Sequence, residues 1–165
     1  MSKKVTIVLV DDHAVVRAGV KRLLEQEPLF EVIGEAESGE KGYQLFGVLK
    51  PDVMVMDLSM SGMGGLEAIR RIMMRHEKAK ILVLSMHEDL SFANQALKLG
   101  AKGYLIKNTL GDDLVKAIET ISRGEVFLSD EIAKKIAVSS IEVDQDPIHD
   151  LSAREFEIFR LLAEG

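Results

Sequence analysis

The chain has 165 residues, 47% of them apolar and 29% charged, which fits one compact unit plus an appendage and excludes a disordered chain. Its net charge of −6 argues against a nucleic-acid or anionic-membrane binder along its whole length, since such surfaces need a lysine and arginine excess. It has no cysteine, which excludes disulfides, thiol nucleophiles and cysteine-ligated metals and suits a cytoplasmic protein.

Short β-rich runs alternate with helical patterns, the signature of βαβ units and a parallel sheet. After Met1-Ser2-Lys3-Lys4, residues 6–10 form a first strand that runs into acids, unlike the core of a signal peptide. Residues 13–26 place Val16, Val20, Leu23 and Leu24 on one helical face, and Pro28 cannot continue that helix. Residues 30–36 alternate more and predict a strand nearer an edge. Ser38 caps a second helix to about Leu49. Residues 53–57 (Val-Met-Val-Met-Asp) are apolar on both faces, as a central parallel strand should be. A small-residue loop over 59–65 leads to a helix striped by Leu66, Ile69, Ile72 and Met73. Strand 80–85, helix 89–99 with Gly100 as its stop, strand 103–106 and a helix carrying Leu114, Ile118 and Ile121 up to Gly124 complete five units. The expected fold is a doubly wound, five-stranded parallel α/β sheet, flavodoxin-like, of order 2-1-3-4-5, with a C-terminal helical extension. No run reaches the ~18 apolar residues a membrane helix needs.

Beyond Arg123 the pattern changes. Residues 129–138 read as a short helix with Ile132 and Ile136 on one side. Residues 139–150 hold four acids, no base and a proline, and read as a linker. Ser152-Ala-Arg-Glu155 is a capping box, and Phe156, Phe159 and Leu162 make an apolar stripe over 151–165. The division expected is 1–124, a linker with a short helix over 125–150, and a further helix over 151–165.

Four strands end in residues able to handle a phosphoryl group: Asp11 and Asp12, Asp57, Ser85, and Lys107. Ligands of open parallel sheets bind outside the strand carboxyl ends where strand order reverses, so Asp11, Asp12 and Asp57 are expected neighbours. Three packed carboxylates repel, and Mg²⁺, which prefers oxygen ligands, removes that cost. Asp57 sits deepest and is the carboxylate placed to attack phosphorus, while Lys107 and the Ser85 hydroxyl supply a cation and a donor for the phosphoryl oxygens. Taken singly, each residue reads as a turn, a cap or a solvated side chain; the combination reverses that reading. His13 reads as an exposed first-turn residue, and the methionines at 54, 56, 60, 63, 73, 74 and 86 as core filler.

Those residues, in that order, resemble the receiver domain of bacterial two-component response regulators over about residues 5–124. The resemblance implies that Asp57 is the phosphoacceptor. It makes Asp11-Asp12 the acidic pair, Ser85 the switch hydroxyl, Tyr104 the switch aromatic and Lys107 the invariant lysine. Gly65 matches the loop glycine, and the Ser59 carbonyl is implied as a further Mg²⁺ ligand. Residues 151–165 look like the opening helix of a LuxR-type helix-turn-helix domain, which points to the NarL/FixJ class of transcription regulators. The class implies a sensor histidine kinase as donor, a homodimer on activation, and DNA contact through a helix that would lie beyond Gly165. With Arg154 and Arg160 against Glu155, Glu157 and Glu164, residues 151–165 carry no basic footprint of their own. The protein is expected to be a phosphoacceptor and not an enzyme, with at most self-phosphorylation from small donors and autodephosphorylation. A receiver acting by protein contacts alone is the alternative, and a Mg²⁺-dependent phosphohydrolase a weaker one, because its general-acid position holds Ser59. A flavodoxin-like cofactor binder would need a small-residue loop where this chain has Asp-Asp-His. The chain departs from the family pattern at Ser61 and Asn108, where prolines are usual. A freer loop at Ser61 is expected to loosen the metal site.

Overall fold

The computed structural model describes residues 3–58, 64–86, 90–107 and 111–144; of 112 and 140–144 it describes the backbone alone. Strands β1 (Val5–Val10), β2 (Phe30–Ala36), β3 (Val53–Asp57), β4 (Ile81–Ser85), β5 (Gly103–Ile106) and β6 (Phe127–Leu128) form one sheet of order β2-β1-β3-β4-β5-β6. All five pairings are parallel. Every carboxyl end therefore lies on one edge, and strand order reverses between β1 and β3.

Helices cover both faces because the central strands are apolar on both. Ile7 and Leu9 of β1, Val53 and Val55 of β3, and Leu82 and Leu84 of β4 face α1 (Ala14–Glu25) and α5 (Asp112–Ser122). The alternate residues Val8, Val10, Met54, Met56, Ile81 and Val83 face α2 (Gly39–Leu49), α3 (Gly65–Arg75), α4 (Leu90–Leu99) and α6 (Asp130–Asp144). The Ser38 hydroxyl caps α2, accepting from the Lys41 amide at 3.2 Å. Gly100 (φ 113°) and Gly124 (φ 88°) adopt the left-handed backbone that stops α4 and α5.

Three features differ from the sequence reading. A sixth strand, β6, pairs with the outer side of β5; two residues carry no periodicity to read. Helix α6 runs on to Asp144, six residues into the stretch read as linker, since nothing before Pro147 breaks it. Ile132 and Ile136 of α6 join the core under α4. Met54 and Met56 do fill the core, but Met74 and Met86 lie exposed. The expectations for Ser59, Ser61, Asn108 and residues 145–165 fall outside the described residues. No helix among the described residues is long and apolar enough to cross a membrane.

Candidate functional site

The three acids read from the sequence do meet. Asp11 follows β1 and Asp57 ends β3, and the two strands are direct neighbours. Asp11 is 6% exposed and Asp57 1%, whereas Asp12 stays at the surface. The loop into α1 is held by local bonds. The Asp11 amide donates to the Ala36 carbonyl at 3.0 Å, extending the β1–β2 ladder. Asp11 Oδ1 accepts from the His13 amide at 2.8 Å, which satisfies a donor at the head of α1.

Lys107, just past β5, reaches back across the crevice. Its Nζ lies 3.1 Å from Asp11 Oδ2 and 3.2 Å from Asp57 Oδ1. All three side chains are almost completely enclosed, so their attraction is screened far less than at a surface. One ammonium against two buried carboxylates, with Asp12 nearby, leaves the crevice short of positive charge. Ligand atoms of Asp11, Asp12, His13 and Asp57 lie within 4.8 Å of one another. Three carboxylates dominate that set, and hard oxygen donors in excess of local cations are what Mg²⁺ takes. The residues present therefore fit the metal. The His13 ring is exposed as expected, yet its Nδ1 sits 2.9 Å from Asp12 Oδ1, closer to the cluster than a first-turn role required.

Ser85 closes the neighbouring strand, fully buried and opposite Ile106. Tyr104, on β5, is also fully buried and belongs to the core on the α3–α4 side of the sheet. Gly65, the first residue of α3, packs directly on the backbone of β3. A Cβ there would run into the Asp57 carbonyl oxygen and the Leu58 Cα. Only glycine lets α3 start this close to Asp57. Farther along α3, Glu67 bonds Arg70 and Arg71, and these bonds, Arg70's first, hold its carboxyl down at about 2.

Two charged residues at the site were not picked out from sequence. Arg17 Nη1 donates to the carbonyl oxygen of Asp11 at 2.6 Å, and its Nε donates to Glu35 Oε1 at 3.1 Å. Lys21 supports the same Glu35 at 3.3 Å. Arg17 sits four residues after His13 on a helix, where an arginine ordinarily reads as solvated. The available signal was a second charged residue, Glu35, near the carboxyl end of the strand beside β1.

The description "Response regulator receiver domain" matches residues 7–119. Transcriptional regulatory protein DegU of Brevibacillus brevis is 34% identical, covering 98% of this chain and 76% of its own length. Nitrate/nitrite response regulator protein NarL of Escherichia coli (strain K12) is 37% identical, covering 97% and 76%. Among solved structures, a LuxR-family two-component response regulator from Aurantimonas sp. SI85-9A1 superposes with a TM-score of 0.81 at 40% identity, over 84% of this chain and 99% of that one. The isolated receiver domain of RcsB from Salmonella enterica serovar Typhimurium, solved with the phosphomimetic BeF3−, gives 0.74 at 27% identity, over 80% and 98%. With its fold, its acidic crevice and these relatives in agreement, the chain belongs to the response regulators of two-component systems, of the NarL/LuxR type.

Proposed function

We propose that Asp57 accepts a phosphoryl group from a sensor histidine kinase in the cytoplasm, and that this acyl phosphate switches a transcription regulator. One observation carries the reading: Lys107 bridges Asp11 and Asp57 inside a buried crevice, beside a third acid. Asp11, Asp12, Asp57 and the Ser59 carbonyl would hold Mg²⁺, which supplies charge neutralisation for the phosphoryl oxygens. An Asp57 oxygen forms the new bond to phosphorus as the bond to the donor's leaving atom breaks. Lys107 stays within reach of an equatorial oxygen, and the buried Ser85 hydroxyl offers another a neutral donor.

The proposed switch links Ser85 to Tyr104. The Tyr104 ring lies wholly buried on the α3–α4 side of the sheet. Phosphorylation would then act by holding the ring inside, through Ser85 drawn to the phosphoryl group, and so fix α4 against the sheet. Residues 1–124 are read as the receiver, 125–150 as a linker with a helix, and 151–165 as the first helix of a DNA-binding domain. A homodimer forms on activation, and DNA contact passes through the C-terminal domain. The names of DegU, a transcriptional regulatory protein, and NarL, a response regulator, support the regulatory role.

The decisive experiment is labelling with a small acyl phosphate in the presence of Mg²⁺, followed by intact mass. The wild type should gain one phosphoryl group and Asp57→Asn none. Equal labelling of both proteins defeats the assignment of Asp57.

A further inference from the structure

We infer that Arg17 is a positioning residue for the metal site, acting through the Asp11–Asp12 peptide; this rests on the reading of the site proposed above. Metal ligands are held by the groups behind them, and those groups decide how well a carboxylate is aimed. At Asp11 both sides of the main chain are pinned. Its amide donates to the Ala36 carbonyl at 3.0 Å, and its carbonyl accepts from Arg17 Nη1 at 2.6 Å. The carbonyl of residue 11 and the amide of residue 12 share one rigid plane. Fixing that carbonyl therefore fixes where the Asp11 chain ends and the Asp12 chain begins.

Arg17 is itself held. Its Nε bonds Glu35 Oε1 at 3.1 Å, while Lys21 Nζ lies 3.3 Å from Glu35 Oε2. A fork of parallel donors is what the guanidinium offers and an ammonium does not. The sheet is bent to make this contact. The pairing of β1 with β2 slips after Ile7↔Val32, so that Val8 faces Gly34 and Leu9 faces Glu35, leaving Ile33 as an extra residue. Without the slip Glu35 would face Val10, whose side chain lies on the α2 side of the sheet. With it, Glu35 shares the face of Leu9, on which α1 packs. A bulge beside a site that re-aims one side chain is a recurrent device. Here the side chain re-aimed is the one that grips Arg17. Arg17 also lines, with Asp11, Asp57 and apolar residues of β1, α1, β3 and β4, a cavity of about 10 Å³.

Charge and positioning predict opposite signs, which makes the inference testable. A cation near the crevice repels Mg²⁺, so removing it by charge alone would tighten metal binding. Loss of positioning weakens it. The experiment is calorimetric titration of the unphosphorylated full chain with Mg²⁺ alone, for wild type, Arg17→Met, Arg17→Lys and Glu35→Ala, with thermal unfolding in the absence of metal as the check on folding. Arg17→Met should lose about tenfold in Mg²⁺ affinity. Arg17→Lys should lose nearly as much, because it restores the charge without the fork, and Glu35→Ala should lose a smaller factor while leaving Arg17 in place. The labelling rate of Asp57 in Arg17→Met should return to the wild-type value once Mg²⁺ saturates. Should Arg17→Met fail to fold, Arg17→Lys carries the test, because it keeps the charge: charge alone then predicts no change, and loss of positioning predicts weaker binding. Unchanged or tighter Mg²⁺ binding in the tested variant, or full rescue by Arg17→Lys, overturns the inference alone. A wild type that does not bind Mg²⁺ overturns the reading of the site, and this inference with it.

Discussion

An aspartate stands at each end of β3, Asp52 just before it and Asp57 as its last residue, and the two have opposite fates. Asp52, at the amino end, is absorbed by one neighbour. Its Oδ2 accepts from the Thr6 amide at 2.9 Å and from the Thr6 hydroxyl at 3.1 Å, and its own amide donates back to that hydroxyl at 2.9 Å. The pair clips the start of β1 to the start of β3 and leaves no acid in need of a further partner. Asp57, five residues on, ends in a crevice with two more acids and one lysine. The residue type is the same. The difference is made by the parallel topology, which gathers four loops at the carboxyl edge and confronts like charges there, while at the other edge Asp52 meets the polar groups of Thr6.

That contrast can be broken in four places. The largest effect should come from metal. A ligand at a hundred times its Kd stabilises the folded state by about 2.7 kcal/mol, so Mg²⁺ should raise the unfolding midpoint of wild type and of Asp52→Asn but not of Asp57→Asn. A similar rise in all three would show the two ends to be equivalent. Next, Gly65→Ala forces a methyl group against the Asp57 backbone and should cost about 1–3 kcal/mol by chemical denaturation. It should also slow labelling of Asp57, because the strand end must shift. Asp52→Ala should cost about 1–2 kcal/mol by leaving the Thr6 donors without their acceptor, and should leave labelling at the wild-type rate. Slowed labelling there would mean that the clip is felt at the far end of the strand.

The smallest effect concerns Glu67. Its carboxyl titrates lower in the folded chain, about 2 against an ordinary 4.5. A lowered folded value means stability that is fully present above pH 4.5 and is lost as the pH falls towards 2. The group is partly exposed, so water and salt screen most of it. Glu67→Gln should therefore flatten the acid limb of the stability curve slightly at low ionic strength and not at all in high salt, measured by thermal melts across that range.

The acid end of β3 was legible from sequence because a run apolar on both faces is rare and its closing polar residue stands out. Asp11, Lys107 and Ser85 followed by the same logic, once the strands were taken as parallel. Lys107 had lost the proline that usually follows it, and the structure supplies another restraint in the two carboxylates it bridges. Arg17 and Glu35 were not legible, because strict alternation along β2 sends Glu35 to the wrong face and only the slip at Ile33 corrects it. A pattern of period two cannot announce its own interruption. Met74 and Met86 were misjudged for a related reason. Methionine is at home in a core, but nothing in its own chemistry forbids the surface, and position on the helix or strand end decides. Strand β6 was too short to show any pattern.

The short sixth strand bears on how the sheet edge at β5 is protected. Phe127 donates its amide to the Lys102 carbonyl and Ser129 donates to the Tyr104 carbonyl, so the outer side of β5 is occupied along Gly103 and Tyr104. Helix α6 then lies over the adjoining core through Ile132 and Ile136. Stripped of residues 125–144, the apolar strand Gly-Tyr-Leu-Ile would offer unpaired backbone to any passing chain, an invitation to intermolecular zippering. Two half-buried residues thus act as a selvedge, keeping the woven edge of the sheet from fraying into its neighbours.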